Sequence, residues 1–409
     1  DIVAAEDAQW GVARSHSARF NPKFEQKSPN GMRCFLRGEV ALSETVAPSD
    51  SGRGLVEAFQ VEGVEGLQRA HGAFCGVFVD EASSTLTIFN DRLGSYPLYW
   101  ATDKDGFFLG ASVLDVLRLM GARMSLDTSA AVELLLYGFV MAERTLTRNV
   151  RLLEPGTTMS FRWADGSSRA TCYAEPRVWF SQERRSWHER RSEVLDAFKT
   201  AVERATHGNH RLTISLSGGL DSRTILSAMS PARTPFTSFT CGVDGNADQV
   251  VGAQLAGAKG VRHTVFRHDA RVVDDLLENL SWMVRHTDGM YLSHGLTEIQ
   301  DVGSLASWDA DVLIRGHGGE LAKMGHAWPF HVDRAIHSMG SNDALADYLT
   351  GRLGFISTEQ QRAEIVAPEL LADMPTTKAL LADVLAKAKV SPLDGCSYLY
   401  LYQHHRRFT

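Results

Sequence analysis

Two rhythms of apolar and polar residues divide the chain. In the first part, apolar residues come in short runs bounded by Gly, Ser or Asp: Cys34–Leu42, Ala73–Asp80, Thr85–Asn90, Phe107–Gly110 and Thr157–Arg162. Runs of this length, rich in β-branched and aromatic side chains, predict strands. Helical spacing interrupts them at Leu55–Glu62 and at Thr128–Tyr137, where Asp127 or Thr128 stands ready to cap the N-terminus. Strands broken by occasional helices predict an α+β sandwich.

The rhythm changes near Glu175–Glu183. Ser186–Ala205 sets Val194, Leu195, Phe198, Ala201, Val202 and Ala205 on one helical face. Strand and helix then alternate: strand Arg211–Leu216, helix Ser222–Met229, strand Phe236–Cys241, helix Ala247–Ala258, strand His263–Phe266. Helices at Val272–Arg285 and Leu296–Ser307 lead to a strand at Val312–Arg315. This alternation predicts an α/β doubly wound parallel sheet. Beyond residue 340 the pattern is mainly helical, around Asn342–Leu349 and Lys378–Ala388. We therefore expect two domains, 1–180 and 181–409, as the length of 409 residues also implies.

Composition narrows the class. Apolar residues make up 44% and charged residues 22%, as in ordinary globular proteins, and the net charge is -7. The basic residues are scattered except at Arg184-Arg185, Arg190-Arg191 and Arg406-Arg407, which read as solvated helix faces. No nucleic-acid partner is expected. No apolar run reaches membrane-spanning length, so no membrane partner is expected either. Five cysteines without CxxC spacing read as buried free thiols in a reducing, cytoplasmic setting. The chain opens on Asp1-Ile2-Val3 and stops after Arg406-Arg407-Phe408-Thr409, so both ends are treated as incomplete.

The strongest chemical signal is Ser217-Gly218-Gly219-Leu220-Asp221-Ser222, set between a predicted buried strand and a predicted helix. Two glycines let backbone approach an anion closely. The N–H groups of a helix N-terminus then converge where the dipole favours negative charge. Ser217 and Ser222 add hydroxyls, and Asp221 implies Mg²⁺, since a carboxylate beside phosphate needs a cation between them. No Walker-type Lys follows, so the loop is not GxxxxGK[ST]. A second Gly-rich turn, Arg315-Gly316-His317-Gly318-Gly319-Glu320-Leu321, ends the strand at 312–315, where a doubly wound sheet places ligands.

These segments resemble the ATP pyrophosphatases, and within them asparagine synthetase and its relatives, the β-lactam synthetases and lasso-peptide cyclases. Phe236-Thr237-Ser238-Phe239-Thr240-Cys241-Gly242 is similar to that family's second strand, and Asp248 through Gly260-Val261-Arg262-His263 to its D…A…H stretch. The resemblance implies ATP and Mg²⁺ as cofactors. It implies nucleotide contacts from Leu216, Ser217, Gly218, Gly219, Leu220, Asp221, Ser222, Cys241, Gly242, Arg315 and Gly316. Asp221 and Glu320 would hold the metal. His317 falls where asparagine synthetases carry a Glu; an imidazole, with an unperturbed pKa of about 6.5, suits the same proton-accepting role or merely caps the turn. Lys323, one turn beyond Glu320, reaches a phosphate or stays solvated. Asp288 and Gly289 lie where relatives bind the acceptor.

In the first domain, the stretch from Leu67 to Asp80 and Asn90-Asp91-Arg92-Leu93-Gly94-Ser95-Tyr96-Pro97-Leu98-Tyr99-Trp100 resemble the family's glutaminase domain, which has an N-terminal-nucleophile fold. Asp91 and Arg92 are expected to pair and pin the turn before Gly94. Glutaminase chemistry needs a Cys as the first residue, and no Cys precedes Cys34. The family's Asn-Gly-Glu reads Arg37-Gly38-Glu39, and Arg cannot accept a hydrogen bond. The expectation is an inactive glutaminase joined to an AMP-forming amide synthetase. It would act on a small-molecule or peptide carboxylate with an amine from the same or a second substrate, as in macrolactam or other natural-product biosynthesis. An asparagine synthetase using glutamine or ammonia is the alternative. Oligomeric state stays open, with a homodimer among the expectations.

Overall fold

The structure, a computed structural model, describes residues 2–4, 10–13, 25–42, 51–180, 186–207, 211–268, 271–290, 310–316, 319, 330–353, 359–368 and 377–407. Contacts divide it into two compact units. The first holds Asp1–Ser181, His286–Tyr291 and Ala327–Thr409; the second holds Gln182–Arg285 and Leu292–His326.

In the first unit, β1 (Ile2–Ala4) pairs with β2 (Gly11–Ala13). β3 (Glu25–Lys27), β4 (Arg33–Ala41), β5 (His71–Asp80), β6 (Thr85–Asn90), β10 (Thr157–Arg162) and β11 (Ser168–Cys172) form an antiparallel sheet of order β11-β10-β6-β5-β4-β3. A second sheet of order β8-β7-β9 comes from β7 (Tyr99–Asp103), β8 (Gly106–Gly110) and β9 (Arg151–Leu152). Period-two alternation sends β4 to both faces. Cys34, Leu36 and Val40 pack with Leu55 and Val56 of helix α1 (Ser51–Glu62), while Phe35 packs on the opposite face with Val77, Ile88, Leu98 and Trp100. The large sheet is thus apolar on both sides, with a helix on one and strand residues of the smaller sheet on the other.

Two further helices, α2 (Val113–Leu119) and α3 (Thr128–Tyr137), start at side-chain caps: Ser112 accepts from the N–H of Asp115, and Asp127 from that of Ala130. Asp127, not Thr128, is therefore the cap of α3. The C-terminal helices include Asn342–Leu353 and Thr377–Ala388, whose Leu345, Leu349, Leu381 and Leu385 are fully buried.

The second unit is a four-stranded parallel sheet of order β14-β13-β12-β15, built from β12 (Leu212–Ser215), β13 (Phe236–Gly242), β14 (His263–Arg267) and β15 (Val312–Ile314). Helices α4 (Trp187–Thr206), α5 (Leu220–Ala228), α6 (Ala247–Lys259), α7 (Arg271–Asp274) and α8 (Leu276–His286) accompany it. The chain steps outward from β12 to β13 and β14, then returns to β12's other side as β15. The reversal lies between β12 and β15, the switch point where open α/β sheets take ligands. Ile214, Leu216, Leu226 and Ala256 form its core. Asp311 accepts from the Arg211 backbone N–H (3.1 Å) and from its guanidinium, fixing the entry of β15 beside β12.

Two expectations need correction. The apolar face of α4 reaches the core only through its C-terminal half: Val202 is buried and Phe198 half-covered, but Val194 and Leu195 are exposed. Arg406 and Arg407 are buried, not solvated. They follow a buried segment containing Leu399, Tyr402 and Gln403, and both guanidiniums donate to the Ala142 carbonyl, Arg407 also to that of Arg144. The helix expected at 296–307 lies outside the described residues.

All five cysteines are free thiols; Cys34, Cys75 and Cys396 are buried, Cys241 is partly buried and Cys172 is exposed. Burial pushes the Cys75 thiol up to about 12, which makes it inert as a nucleophile. Among the described residues, no helix is long and apolar enough to cross a membrane.

Candidate nucleotide-phosphate site

Beyond β12 the backbone turns out of the sheet and re-enters as α5. The turn is anchored on both sides of one residue: the Leu216 N–H donates to Phe239 O (2.8 Å), and the Leu216 carbonyl accepts from the Thr240 hydroxyl (2.6 Å). The Ser217 N–H then donates to Ser222 Oγ (3.2 Å), and the Ser217 hydroxyl accepts from the Gly219 N–H (3.1 Å). Gly218 N–H donates to the Asp248 carboxylate (2.7 Å), on the first turn of α6. Gly219 occupies the N-cap position of α5 and supplies no side-chain oxygen. The first N–H groups of the helix are therefore not capped by that residue, leaving an anion-favouring terminus.

The second glycine turn closes on this loop. A Cβ on Gly316 would stand 2.7 Å from the Ser222 nitrogen, and one on Gly319 would overlap the Asp221 carboxylate. Glycine at both positions lets the two turns touch. Between them lies a cleft of about 150 Å³ lined by Ser215, Ser217, Gly219, Asp221, Ser222, Arg315 and Gly316. Hydroxyls, helix amides, a guanidinium and one carboxylate meet there. This donor set fits a polyphosphate. Asp221 beside those donors also fits Mg²⁺, which takes one or two protein carboxylates and fills its shell with phosphate oxygens and water. Among the described residues, no group of three or more His, Cys, Asp or Glu side chains clusters as an all-protein metal site.

Of the expected nucleotide residues, Ser217, Gly219, Asp221, Ser222, Arg315 and Gly316 line this cleft, whereas Leu216 is buried in the core, the Gly218 N–H is taken by Asp248 and the Leu220 side chain is exposed. Cys241 and Gly242 end β13, the strand beside β12. The Gly242 carbonyl accepts from Gln249 Nε2 (2.9 Å) and from the His268 N–H (3.0 Å). His317, Glu320 and Lys323 lie outside the described residues. Asp288 and Gly289 belong to the first unit. There the Asp288 carboxylate accepts from the Val113 N–H (2.8 Å) at the start of α2 and from the Tyr99 hydroxyl. Burial raises its pKa, and these hydrogen bonds offset only part of that.

In the first domain, Asp91 does pin the turn before Gly94, but not through Arg92. Its oxygens accept from the N–H groups of Phe74, Leu93 and Ser95 and from the Ser95 hydroxyl. Arg92 donates instead to Gln68 O and lies over the Trp179 ring at 5.5 Å. Asp91 is buried and needs several donors at once, which backbone N–H groups supply more cheaply than a second buried charge. Arg37 projects from β4 over the ring of Tyr96, 4.8 Å from its centroid. Behind the loop lie Thr240 and His263, which stand in the stretches resembling the family but carried no assigned role, and Gly252, which carried no signal at all. Thr and Gly in a strand and a helix carry no motif signal of their own.

Comparison with known proteins places this geometry. A family model described as a glutamine amidotransferase domain matches residues 36–173, and one described as asparagine synthase matches residues 193–388. A Mycobacterium tuberculosis protein provisionally named asparagine synthetase (glutamine-hydrolysing) is 25% identical over 294 residues, which cover 70% of this chain and 44% of that protein. Asparagine synthetase (glutamine-hydrolysing) 1 of Bacillus subtilis is 23% identical over 260 residues, 63% of this chain and 40% of that one. The chain therefore spans less than half the length of the curated relatives it matches. A solved glutamine phosphoribosylpyrophosphate amidotransferase from B. subtilis overlaps 65% of this chain and 55% of its own at 10% identity, but its TM-score of 0.26 carries no inference. With an amidotransferase-type domain ahead of an asparagine-synthase domain, the chain belongs to the asparagine synthetase superfamily.

Proposed function

We propose that the chain is the ATP-using part of an amide-bond-forming synthetase. The observation that carries this reading is the closed phosphate cradle: the N-terminus of α5, the Ser217 and Ser222 hydroxyls and Asp221 face Arg315 and Gly316 across one cleft. A substrate carboxylate oxygen attacks the α-phosphorus of ATP, and pyrophosphate leaves. An amine nitrogen then attacks the acyl carbon, AMP leaves, and the amine's proton passes to a base. Asp221, with Glu320, is assigned to hold Mg²⁺, which supplies charge neutralisation on the phosphates when bound. His317 is assigned as the base, Lys323 as a pyrophosphate contact and Asp288-Gly289 as part of the acceptor site. Leu216, Cys241 and Gly242 are assigned to the nucleotide. Catalysis in this scheme is positioning and electrostatics more than covalent chemistry.

The amine comes from the substrate, not from glutamine. Arg37 supports this: a guanidinium stacked on Tyr96 stands where an amide-gripping acceptor would be needed, and it has only donors to offer. The product is then an amide or macrolactam of a natural product or peptide. A second reading, asparagine synthesis from glutamine or ammonia, is favoured by the names of the relatives.

The test is ATP–pyrophosphate exchange screened across amino acids, small carboxylic acids and peptides, followed by product analysis with and without glutamine or ammonia. Exchange with a peptide or small acid, and no glutamate from glutamine, supports the first reading. Asparagine with AMP supports the second. Absence of exchange with every carboxylate would leave a nucleotide-binding scaffold.

A further inference from the structure

Behind the phosphate loop a line of hydrogen bonds crosses the parallel sheet. It starts at His263 on β14, whose Nε2 lies 3.4 Å from Thr240 Oγ1 and whose Nδ1 lies 3.0 Å from Ser238 Oγ. Thr240 and Ser238 sit on β13 and are both buried. The single hydroxyl proton of Thr240 goes to the Leu216 carbonyl at 2.6 Å. Toward His263 it can therefore only accept, which assigns the ring proton to Nε2; the other nitrogen, Nδ1, faces the Ser238 hydroxyl, whose single proton has two acceptors in reach, Nδ1 (3.0 Å) and the Arg262 carbonyl (3.2 Å). Burial lowers the pKa of His263 and so favours this neutral ring.

The line continues through the peptide that Thr240 grips. The peptide unit is planar and trans, so fixing the Leu216 carbonyl fixes the direction of the Ser217 N–H on its opposite side. That N–H donates to Ser222 Oγ, a hydroxyl lining the cleft. The space for the Thr240 hydroxyl depends on Gly252 of α6. A Cβ there would overlap Thr240 Oγ1 and stand 3.3 Å from the Leu216 carbonyl oxygen.

We propose that Thr240 and His263 are positioning residues of the phosphate loop: the imidazole orients the Thr240 hydroxyl, which sets the Leu216–Ser217 peptide plane and, through it, the Ser222 hydroxyl that receives phosphate. This rests on the reading of the 217–222 loop as the pyrophosphate end of an ATP site. Neither residue touches the ligand in this arrangement. Their effect is on where the loop's donors point before ligand arrives.

The experiment measures binding of Mg²⁺-pyrophosphate and, separately, of AMP to the full chain by calorimetry, with thermal unfolding alongside. Thr240→Val keeps the β-branched shape and removes the hydroxyl; Thr240→Ser keeps the hydroxyl. His263→Ala removes the ring; His263→Gln restores an N–H near the Nε2 position. Thr240→Val and His263→Ala are expected to weaken pyrophosphate binding about tenfold, the scale of one lost hydrogen bond, with AMP binding little changed. Thr240→Ser and His263→Gln should stay within about threefold of the parent. Pyrophosphate affinity unchanged in both Thr240→Val and His263→Ala overturns the proposal. So does equal loss in the Val and Ser variants, or loss that only follows a fall in Tm. If the parent chain binds neither pyrophosphate nor ATP, the nucleotide reading fails and the positioning role fails with it. A parent that binds while the variants bind equally well refutes the positioning role alone.

Discussion

Gly319 lies against the carboxylate of Asp221, so close that a Cβ at 319 would overlap its oxygens. Asp221 and Gly319 stand 98 positions apart in the chain, yet they meet because β12 and β15 are paired in parallel, Leu212 opposite Val312 and Ile214 opposite Ile314. Gly316→Ala should therefore damage the cleft by contact alone. Its methyl would meet the Ser222 backbone nitrogen at 2.7 Å, and backbone cannot swing aside as a side chain can. Overpacking of this kind costs about 1–3 kcal/mol. A loss of pyrophosphate affinity of tenfold or more is expected by calorimetry, and parent-like affinity would refute the closeness of the two turns.

Asp221→Asn keeps shape and removes charge at a partly exposed position in the first turn of α5. ATP–pyrophosphate exchange should fall on the order of a hundredfold or more, as expected when transition-state charge loses its partner, while Tm stays near that of the parent. Chelating Mg²⁺ should abolish exchange in the parent as well. An Asp221→Asn protein exchanging at the parent's rate would remove the metal assignment.

Glu133 is fully buried in α3, where it pairs with Arg144 and accepts from the Met141 N–H at 3.0 Å. Removing one member of such a pair leaves the other charge uncompensated and typically costs about 3–5 kcal/mol. Glu133→Ala should lower the denaturant midpoint of the first unit accordingly. A loss below about 1 kcal/mol, the level of an exposed pair, would mean that the pair is solvated.

Asp288 ties stability to pH. Burial raises its carboxyl above the ordinary value of 3.8, so the native state holds the proton more tightly than the unfolded chain. Its contribution to stability is greatest below the ordinary value. It declines as pH rises through that value toward the raised one, and levels off above it. Asp288→Asn removes this slope. Its carbonyl oxygen still accepts from the Val113 N–H, and Asn tolerates the φ of 53° that the position has. Chemical denaturation from pH 4 upward should show the parent losing stability relative to the Asn variant. Parallel curves would show that the carboxyl is not desolvated.

Arg37→Ala is expected to cost less than about 1 kcal/mol, the scale of an exposed cation–π contact, because the residue is exposed and its side chain lies over the Tyr96 ring. ATP–pyrophosphate exchange should be unchanged. A large fall in exchange would give the first domain a part in the synthetase step.

Much of this protein was readable along the chain, because the readable features are local. Thr85–Asn90, Thr157–Arg162 and Thr128–Tyr137 occur as the alternation and helical spacing predict. The strand-to-helix turn at 217–222 was legible too, since a strand, two glycines, a hydroxyl and an acid need only short-range geometry to form it. What the chain could not show by itself was who meets whom across long separations. Arg406-Arg407 reads as a solvated pair until the loop at 142–144 is folded against it and takes its donors. Asp91 and Arg92 are neighbours in sequence, yet Asp91 finds the Phe74 N–H across the sheet while Arg92 goes to Gln68 and Trp179. Thr240 and His263 fall in stretches that resemble the family, but the contact between them exists only because β12, β13 and β14 lie side by side. The loop at 217–222 was thus determined by its own residues, but its closure by Gly316 and Gly319, and its support from Thr240, were decided by strand order. A hydrogen bond or a close approach depends on position in space, and only the packed sheet sets that position.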